Sequence, residues 1–326
     1  MDELQLKQGG VKPDDQVGEE SRTHASSSPL GTQDSSVIVG LEGRERDPDA
    51  LALARTLHKA LGGRLVLAHV IPPPPLGRGM TEYAWQARRD GRDLLARAAE
   101  ESGVPSQTRL LETWPAAFAL AQLAEDHRAS MLVLGSSHRG TVGRIVPGGV
   151  ASHLLSRAPC AIAVAPVSYA RLSPRSGAVI GVAYDRTSEA DLALAAAASA
   201  ASKLGVPLRL YHAMPEISNA PAWDEIRGHI KDSAQRILGT GLAQLSPELD
   251  ATSQVVEGDV ADVIAEAASA DDVALLYVGS RGYGPLREAL FGGVAGALLR
   301  TARCPLVIVP QSCQPADNRT RNQPWV

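Results

Sequence analysis

Short apolar runs alternate with stretches of helical periodicity through the middle of the chain, from residue 36 to residue 310. Runs rich in Val, Ile, Leu and Ala and bordered by Gly or Pro are typical of strands buried on both faces of a sheet. The pattern predicts strands at 37–41, 64–70, 108–112, 131–134 and 161–165, and again at 179–184, 208–213, 253–257, 274–278 and 306–309.

Between these strands, apolar residues recur at the spacing of an amphipathic helix. Ser188 is the expected N-cap of an Ala-rich helix, because a Ser hydroxyl can accept a hydrogen bond from the first turn. The predicted helices are 48–61, 81–102, 115–127 and 148–157, then 188–204, 222–245, 261–270 and 293–301. Strands alternating with helices imply right-handed crossovers and parallel sheets. The expected fold is therefore α/β, with two doubly wound five-stranded sheets of strand order 3-2-1-4-5 in tandem.

An internal repeat is the strongest signal in the chain. Three residue pairs are separated by 144 positions and two by 143: Gly135 and Gly279, Cys160 and Cys304, Pro166 and Pro310, then His69 and His212, Glu42 and Asp185. The repeat predicts domains at 35–167 and 178–310, joined by a linker at 168–177 without regular structure. The polar ends, 1–34 and 311–326, are expected to be disordered tails.

Charge and cysteine content narrow the function classes. Residues 1–34 account for the net charge of −4, so the rest of the chain is nearly neutral. It therefore lacks the excess of basic residues that binding to nucleic-acid phosphates requires. Three cysteines without metal-ligand spacing suggest neither a disulfide framework nor a zinc site, and we expect Cys160 and Cys304 to be buried. Neither a signal peptide nor an apolar run of membrane-spanning length is visible, so a cytoplasmic protein is expected.

A glycine-rich loop follows the fourth predicted strand of each repeat. Glycine lets backbone N–H groups approach an anion, and a helix N-terminus adds unpaired donors, so such a loop can hold phosphate. An alternative interpretation is that the glycines only shape a strand-to-helix turn. The second loop contains Gly279, Arg281 and Gly282, then nine residues, then Gly292, Gly293 and Val294; the first contains Gly135, His138, Arg139, Gly140, Gly148 and Gly149. Neither is a P-loop, since Thr141 stands where that motif needs Lys.

With this spacing, the region 36–310 resembles two tandem domains of the universal stress protein family, of its ATP-binding type. The resemblance implies that Asp185 contacts the adenosine end of ATP and that Gly258 lies beside the ribose. It also implies that Gly279, Gly282, Gly292 and Gly293, with Arg281 and Val294, surround the phosphates. Mg²⁺ accompanying the nucleotide is a further hypothesis, with Asp185, Glu257 and Asp259 as candidate ligands.

The first repeat departs further from the family pattern than the second. Glu42 replaces the Asp, and His138 replaces the second motif glycine. Matching Glu112 to Glu257 puts Thr113, Trp114 and Pro115 where the second repeat has Gly258, Asp259 and Val260. Both repeats have Gly, at 149 and 293, where the family usually has a Ser or Thr hydroxyl. The second domain is therefore the expected nucleotide site, and the loop glycines of the first domain, with His138 and Arg139, form a weaker candidate.

Three functions remain open from the sequence. The preferred hypothesis is a stress-response module that binds ATP or another adenine nucleotide, with little or no turnover, because no catalytic constellation is visible. The alternative is an interaction protein of the same fold with both sites degenerate, and an enzyme acting at an α-phosphate rests on fold analogy alone. The resemblance also implies that the two domains pair within the chain about a pseudo-two-fold axis, with a homodimer as a further assembly. His69 and His212 are expected to be structural.

Overall fold

The computed structural model of the chain describes residues 36–43, 47–74, 80–137, 142–146, 148–155, 159–171, 178–218, 220–280 and 293–311. The first domain comprises β1 Ser36–Leu41, α1 Asp47–Leu61, β2 Arg64–Val70, α2 Met80–Ser102, β3 Ser106–Leu111, α3 Ala116–Asp126, β4 Ala129–Gly135, α4 Gly149–Leu155 and β5 Ala161–Ala165. The second domain comprises β6 Val179–Ala183, α5 Ser188–Leu204, β7 Leu208–Met214, α6 Asp224–Leu242, β8 Ala251–Glu257, α7 Val260–Ala270, β9 Val273–Ser280, α8 Val294–Thr301 and β10 Leu306–Pro310.

The predicted strand order is confirmed, and the two sheets are continuous. The strands lie in the order β3-β2-β1-β4-β5-β10-β9-β6-β7-β8, so each half has the order 3-2-1-4-5 read from its outer edge. All pairs are parallel except β5 and β10, which are antiparallel, with Leu306 opposite Val164 and Ile308 opposite Ile162. The structure therefore has one ten-stranded sheet where the sequence predicted two five-stranded ones.

Alternating side chains of the strands feed two cores on opposite faces of this sheet. In β1, Val37 and Val39 belong to the core that includes residues of α1, α2, α5 and α6, whereas Ile38 belongs to the core that includes residues of α3, α4, α7 and α8. The first of these cores is one cluster that draws residues from both domains. Among the helices that the structure describes, none combines the length and apolar composition needed to cross a bilayer.

The two domains also meet through α1. The buried carboxylate of Asp49 accepts hydrogen bonds from the backbone N–H groups of Ser168 (2.8 Å) and Ala170 (2.9 Å). The Lys203 ammonium at the end of α5 donates to the Leu61 carbonyl at the end of α1 (3.3 Å). The predicted linker accordingly begins with a short 3₁₀ turn at Tyr169–Arg171, not with irregular chain.

Most helices start within one residue of the prediction, and the N-cap of α5 and the start of α6 differ from it. Thr187, not Ser188, is the N-cap of α5, and its hydroxyl oxygen accepts a hydrogen bond from the Ala190 N–H. Ser188 is instead the first helical residue, so that prediction was wrong by one position. Helix α6 begins at Asp224 after a 3₁₀ turn at Pro221–Trp223, two residues later than predicted. The predicted tails lie outside the described residues, except for Gln311.

Candidate functional site

The strand order of the second domain reverses between β6 and β9. Successive strands run from β6 outward to β7 and β8, and the chain then returns to β9 on the other side of β6. Ligands of open parallel sheets bind in the crevice outside the carboxyl ends of strands at such a point. Ala183 lies opposite Val278 in this pair, so Asp185 and Ser280 leave the sheet at the same level.

Asp185 lies at the β6 side of this crevice with an exposed side chain. Its Oδ1 accepts hydrogen bonds from the backbone N–H (3.0 Å) and the hydroxyl (2.6 Å) of Thr187. The Thr187 oxygen in turn accepts the Ala190 N–H of the first turn of α5 (3.3 Å). The helix cap therefore orients the Asp185 carboxylate and leaves its Oδ2 free to accept from a ligand.

Gly258 forms the turn between β8 and α7 with a left-handed φ of +136°. Its N–H donates to the Met214 carbonyl (3.0 Å), and an added Cβ would lie 2.6 Å from Cγ1 of Val263. Both the conformation and the space therefore favour glycine here. Packing against Val263 thus explains this glycine by itself, and its contact with a ribose stays a prediction.

The other two candidate Mg²⁺ ligands have local structural roles. Asp259 is the N-cap of α7, and its Oδ1 accepts the N–H groups of Ala261 and Asp262. Glu257 Oε1 accepts the Ile217 N–H (3.0 Å). Within the described residues, no group of three His, Cys, Asp or Glu side chains could hold a metal. In all three residues the hydrogen bonds engage one carboxylate oxygen, and Mg²⁺ accompanying the nucleotide at Asp185, Glu257 and Asp259 stays a prediction.

Gly279, at the end of β9, has a structural reason to be glycine. An added Cβ would lie 2.4 Å from both the C and O atoms of Glu189 and 2.8 Å from the Ala190 nitrogen. These are backbone atoms of the first turn of α5, which cannot move aside as a flexible side chain can. The strand and the helix start therefore pack directly on one another at the base of the crevice.

The N-terminus of α8 faces the end of the loop that follows Gly279. Gly293 is the N-cap, with φ −147° and ψ 170°, and has no side chain to cap the helix that begins at Val294. Both residues are exposed. The first-turn N–H groups of α8 are thus available to an anion. Arg281, Gly282 and Gly292 lie outside the described residues.

The first domain fills the corresponding place with its own groups. The Asp47 carboxylate accepts hydrogen bonds from the backbone N–H groups of Glu42 (2.9 Å) and Gly43 (2.8 Å) just after β1. The second repeat has Ala190 at the position of Asp47, so it has no such carboxylate. In the second domain, Asp185 and Thr187 hold the corresponding turn, and the acids Glu189 and Asp191 lie in the first turn of α5.

The glycine loop of the first domain is only partly described. The buried Ser136 hydroxyl donates to the Ala165 carbonyl (2.6 Å) and accepts the Val146 N–H (3.3 Å), which ties the loop to the sheet. Gly135, the last residue of β4, pairs with Ala165. Helix α4 begins at Gly149 and is seven residues long, and a Cβ at Gly148 or Gly149 would meet nothing within 4 Å. His138, Arg139 and Gly140 lie outside the described residues.

The turn from β3 to α3 corrects the predicted repeat alignment. Three residues, 113–115, separate Glu112 from α3, whereas only two, 258–259, separate Glu257 from α7. Pro115, the residue before α3, therefore corresponds to Asp259 and not to Val260. The Trp114 side chain is 56% exposed, so it points to solvent and does not fill the interior.

An ion pair lies beside this turn, at the carboxyl end of β3. Both Glu112 carboxylate oxygens accept from the Arg88 guanidinium, at 2.8 and 2.7 Å, which lowers the pKa of the carboxyl. Arg88 belongs to α2, so the pair joins the helix to the edge of the sheet. The second domain has no equivalent pair at Glu257, whose carboxylate holds the loop before α6 instead.

The paired histidines are structural, as predicted. His69 Nδ1 lies 2.9 Å from the Leu41 carbonyl, and His212 Nδ1 lies 2.8 Å from the Tyr184 carbonyl. A carbonyl oxygen can only accept, so Nδ1 carries the proton in both rings. The two repeats thus use the same bond to join adjacent strand ends.

A polar cluster beside Asp185 was not predicted. The Tyr184 hydroxyl donates to Asp191 Oδ1 (2.8 Å). The Gln244 amide nitrogen donates to the Tyr184 hydroxyl oxygen and to Asp191 Oδ1 (3.1 Å each). Burial, followed by the bond to Asp191, raises the Tyr184 pKa to about 12. An added Cβ at Gly241 would lie 2.7 Å from the Tyr184 ring. This glycine is therefore the sequence feature that could have indicated close packing of α6 on Tyr184. The cluster fixes the turn that carries Asp185.

Cys160 and Cys304 are buried, which confirms their predicted burial, and neither forms a disulfide. Burial raises the pKa of Cys304 to about 12, far above the pH at which thiols usually react. We expect neither cysteine to react with a thiol reagent at pH 8 in the folded protein, and both to react in denaturant. Mass spectrometry after alkylation would measure this, and labelling of Cys304 in the folded state would contradict it. Cys313 lies outside the described residues.

Comparison with known proteins gives one consistent result. The model of the universal stress protein family matches residues 35–166 and 178–310. A universal stress protein of Mycobacterium tuberculosis is 29% identical over 292 residues, which cover 85% of this chain and 97% of that protein. One from Mycobacterium bovis is 25% identical over 294 residues, covering 84% and 99%.

Two solved structures share the fold over the tandem region. A universal stress protein from Archaeoglobus fulgidus superposes with a TM-score of 0.61 at 17% identity, covering 85% of this chain and 97% of that one. A putative universal stress protein from Pseudomonas aeruginosa gives 0.58 at 16% identity, covering 84% and 92%. At these identities the likeness concerns the fold alone.

Proposed function

The chain belongs to the universal stress protein family, and we propose that it is a stress-response module that binds ATP or a related adenine nucleotide in its second domain. The observation that carries the proposal is the carboxylate of Asp185, which the Thr187 cap orients where β6 and β9 end side by side. The glycine turn after β8 and the N-terminus of α8, which has no side-chain cap among the described residues, support it. A carboxylate acceptor suits ribose or adenine donors, and a helix N-terminus suits phosphate.

The structure supports an unequal division of work between the domains. In the first domain, the Asp47 carboxylate occupies the backbone N–H groups of Glu42 and Gly43 after β1. Those donors are therefore not available to the adenosine end of a nucleotide. We therefore propose that one nucleotide binds per chain and that the first domain is a structural partner. The mechanism we propose is binding with little or no turnover.

We further propose that the two domains act as one unit in solution. The antiparallel pairing of β5 with β10, the shared core and the Lys203 bond to Leu61 support this. The arrangement would serve in place of a dimer of single-domain chains. Pairing of whole chains into a homodimer remains a separate prediction.

Calorimetric titration with ATP tests the nucleotide proposal, using Asp185→Ala as the variant. We expect its affinity to fall about ten-fold, because a hydrogen bond to a charged group is worth roughly 1.5–3 kcal/mol. Glu42→Ala is the matched control, since Glu42 occupies the same position in the first repeat. Its affinity should equal that of the unmodified protein.

Two outcomes would overturn the proposal. The first is the absence of heat or thermal stabilisation at millimolar ATP, which would favour an interaction protein with both sites degenerate. The second is an equal loss in the two variants, which would contradict the assignment to the second domain. Asp185 is exposed, so its replacement by Ala should leave folding intact, and circular dichroism would verify this.

A further inference from the structure

An open groove of about 690 Å³ lies between the β6–α5 turn and helix α6. Arg186 lines it from the turn, and Ser233, Arg236, Ile237, Gly239 and Thr240 line it from the helix. Two guanidinium groups and two hydroxyls thus border the groove, and no carboxylate is among its lining residues. The groove therefore has the charge of an anion site.

The groove is distinct from the β6/β9 crevice. Helices α5 and α6 cover one face of the sheet, whereas α7 and α8, which follow Gly258 and the glycine loop, cover the other. The two places share only the turn that carries Asp185 and Arg186. A ligand in the groove would contact α6, which has no role in the nucleotide proposal.

The backbone at Arg186 shows that its side chain is not required by the fold. Arg186 has φ +64°, and Gly43, at the same position of the first repeat, has φ +79°. Glycine adopts this left-handed conformation freely, whereas residues with a Cβ resist it. The second repeat therefore holds an arginine where the first makes the same turn with the more suitable residue.

The nearby acids leave both guanidinium groups available. Asp191 Oδ1 is engaged by Tyr184 and Gln244, and Asp185 Oδ1 is engaged by Thr187. Within the described chain, neither arginine has a carboxylate partner at salt-bridge distance. Arg236 Nε donates to the Asp232 carbonyl (3.3 Å), which orients the side chain and leaves its outer nitrogens free.

We infer that this groove binds the phosphate groups of a small ligand, through the guanidinium groups of Arg186 and Arg236 and the hydroxyl of Ser233. A planar guanidinium matches phosphate oxygens in a two-point contact, and a hydroxyl adds a single donor. The Thr240 hydroxyl is not counted among the donors, because it already donates to the Arg236 carbonyl (3.0 Å). The site is separate from the proposed nucleotide crevice and does not depend on it.

Pyrophosphate is the probe, and calorimetric titration of the full chain is the measurement. Arg186→Gly restores the residue of the first repeat and should lower the affinity about ten-fold, since it removes one charge-assisted contact. Arg128→Gly is the matched control, because Arg128 is also an exposed arginine at positive φ (+47°) but lies outside the groove. It should bind pyrophosphate as the unmodified protein does.

A second pair of variants tests the groove from α6. Gly239 and Gly228 are both exposed on this helix, and a Cβ at either would meet nothing within 4 Å. Gly239→Glu places a carboxylate in the groove and should abolish binding at millimolar pyrophosphate, whereas Gly228→Glu should change the affinity less than two-fold. No heat with the unmodified protein would overturn the inference. Unchanged heat in Arg186→Gly and Gly239→Glu would also overturn it, by assigning pyrophosphate to another site.

Discussion

Gly279→Ala should lower the free energy of unfolding by about 3 kcal/mol or more, the upper range for overpacking in a well-packed interior. The added methyl would lie 2.4 Å from the backbone C and O atoms of Glu189. Relief would require β9 and the start of α5 to separate, which would strain the cap formed by Thr187. Urea denaturation followed by circular dichroism would measure the loss.

Gly149→Ala is the control for this prediction. Gly149 belongs to the glycine pattern of the first repeat, but a Cβ there meets nothing within 4 Å. Gly149 is the first residue of α4 and is exposed. The free energy of unfolding of the variant should therefore differ from that of the unmodified protein by less than about 1 kcal/mol. A Gly279→Ala protein as stable as the unmodified one would show that the close approach is absent. That result would leave phosphate contact as the explanation for this glycine.

Gly293→Ser should tighten ATP binding by roughly ten-fold to a hundred-fold, because a hydroxyl bonded to a charged phosphate is worth about 1.5–3 kcal/mol. The backbone of Gly293 is extended, with φ −147° and ψ 170°, so serine can adopt it without strain. Serine is also a favoured N-cap residue, and α8 should be stabilised by a few tenths of a kcal/mol. Calorimetry with ATP would measure the affinity.

Gly149→Ser is the matched control in the first repeat. The new hydroxyl has ample space there, since no atom lies within 4 Å of the added Cβ. Because Asp47 occupies the backbone donors after β1, where the adenosine end would bind, we expect no gain in ATP affinity. A gain at Gly149→Ser equal to that at Gly293→Ser would contradict the proposed inequality of the domains. No gain in ATP affinity at Gly293→Ser would show that the N-terminus of α8 does not contact the phosphates.

The repeat and the strand order could be predicted from the sequence because both depend on local patterns. Strands β2 and β5 have the predicted bounds, since β2 follows Gly63 and β5 ends before Pro166, and both residue types interrupt regular structure. The structural role of His69 and His212 could also be predicted, because both histidines recur at the repeat spacing near strand ends. For the candidate site, the sequence predicted only which residue types follow the strands, and not how their side chains are oriented or bonded.

Contacts that follow no periodic pattern could not be predicted in this way. The bonds from the Glu42 and Gly43 N–H groups to the Asp47 carboxylate correspond to no repeat or periodicity in the sequence. The extra residue before α3 was missed because matching glutamates, Glu112 and Glu257, suggested equal turns. The close packing of Gly279 against the backbone of α5 was not predicted either, because the sequence shows this glycine only as part of a phosphate motif, and that phosphate role stays a prediction.

The antiparallel joint between β5 and β10 has a consequence for self-association. A last strand with an open edge is the natural recruiting point for a second chain, because its unpaired N–H and C=O groups can extend a sheet. Here each domain presents that edge to the other, and the outer strands of the continuous sheet are β3 and β8. Tandem duplication has thereby made the partner a permanent part of the same molecule, so the concentration of the protein no longer governs whether these two strands meet.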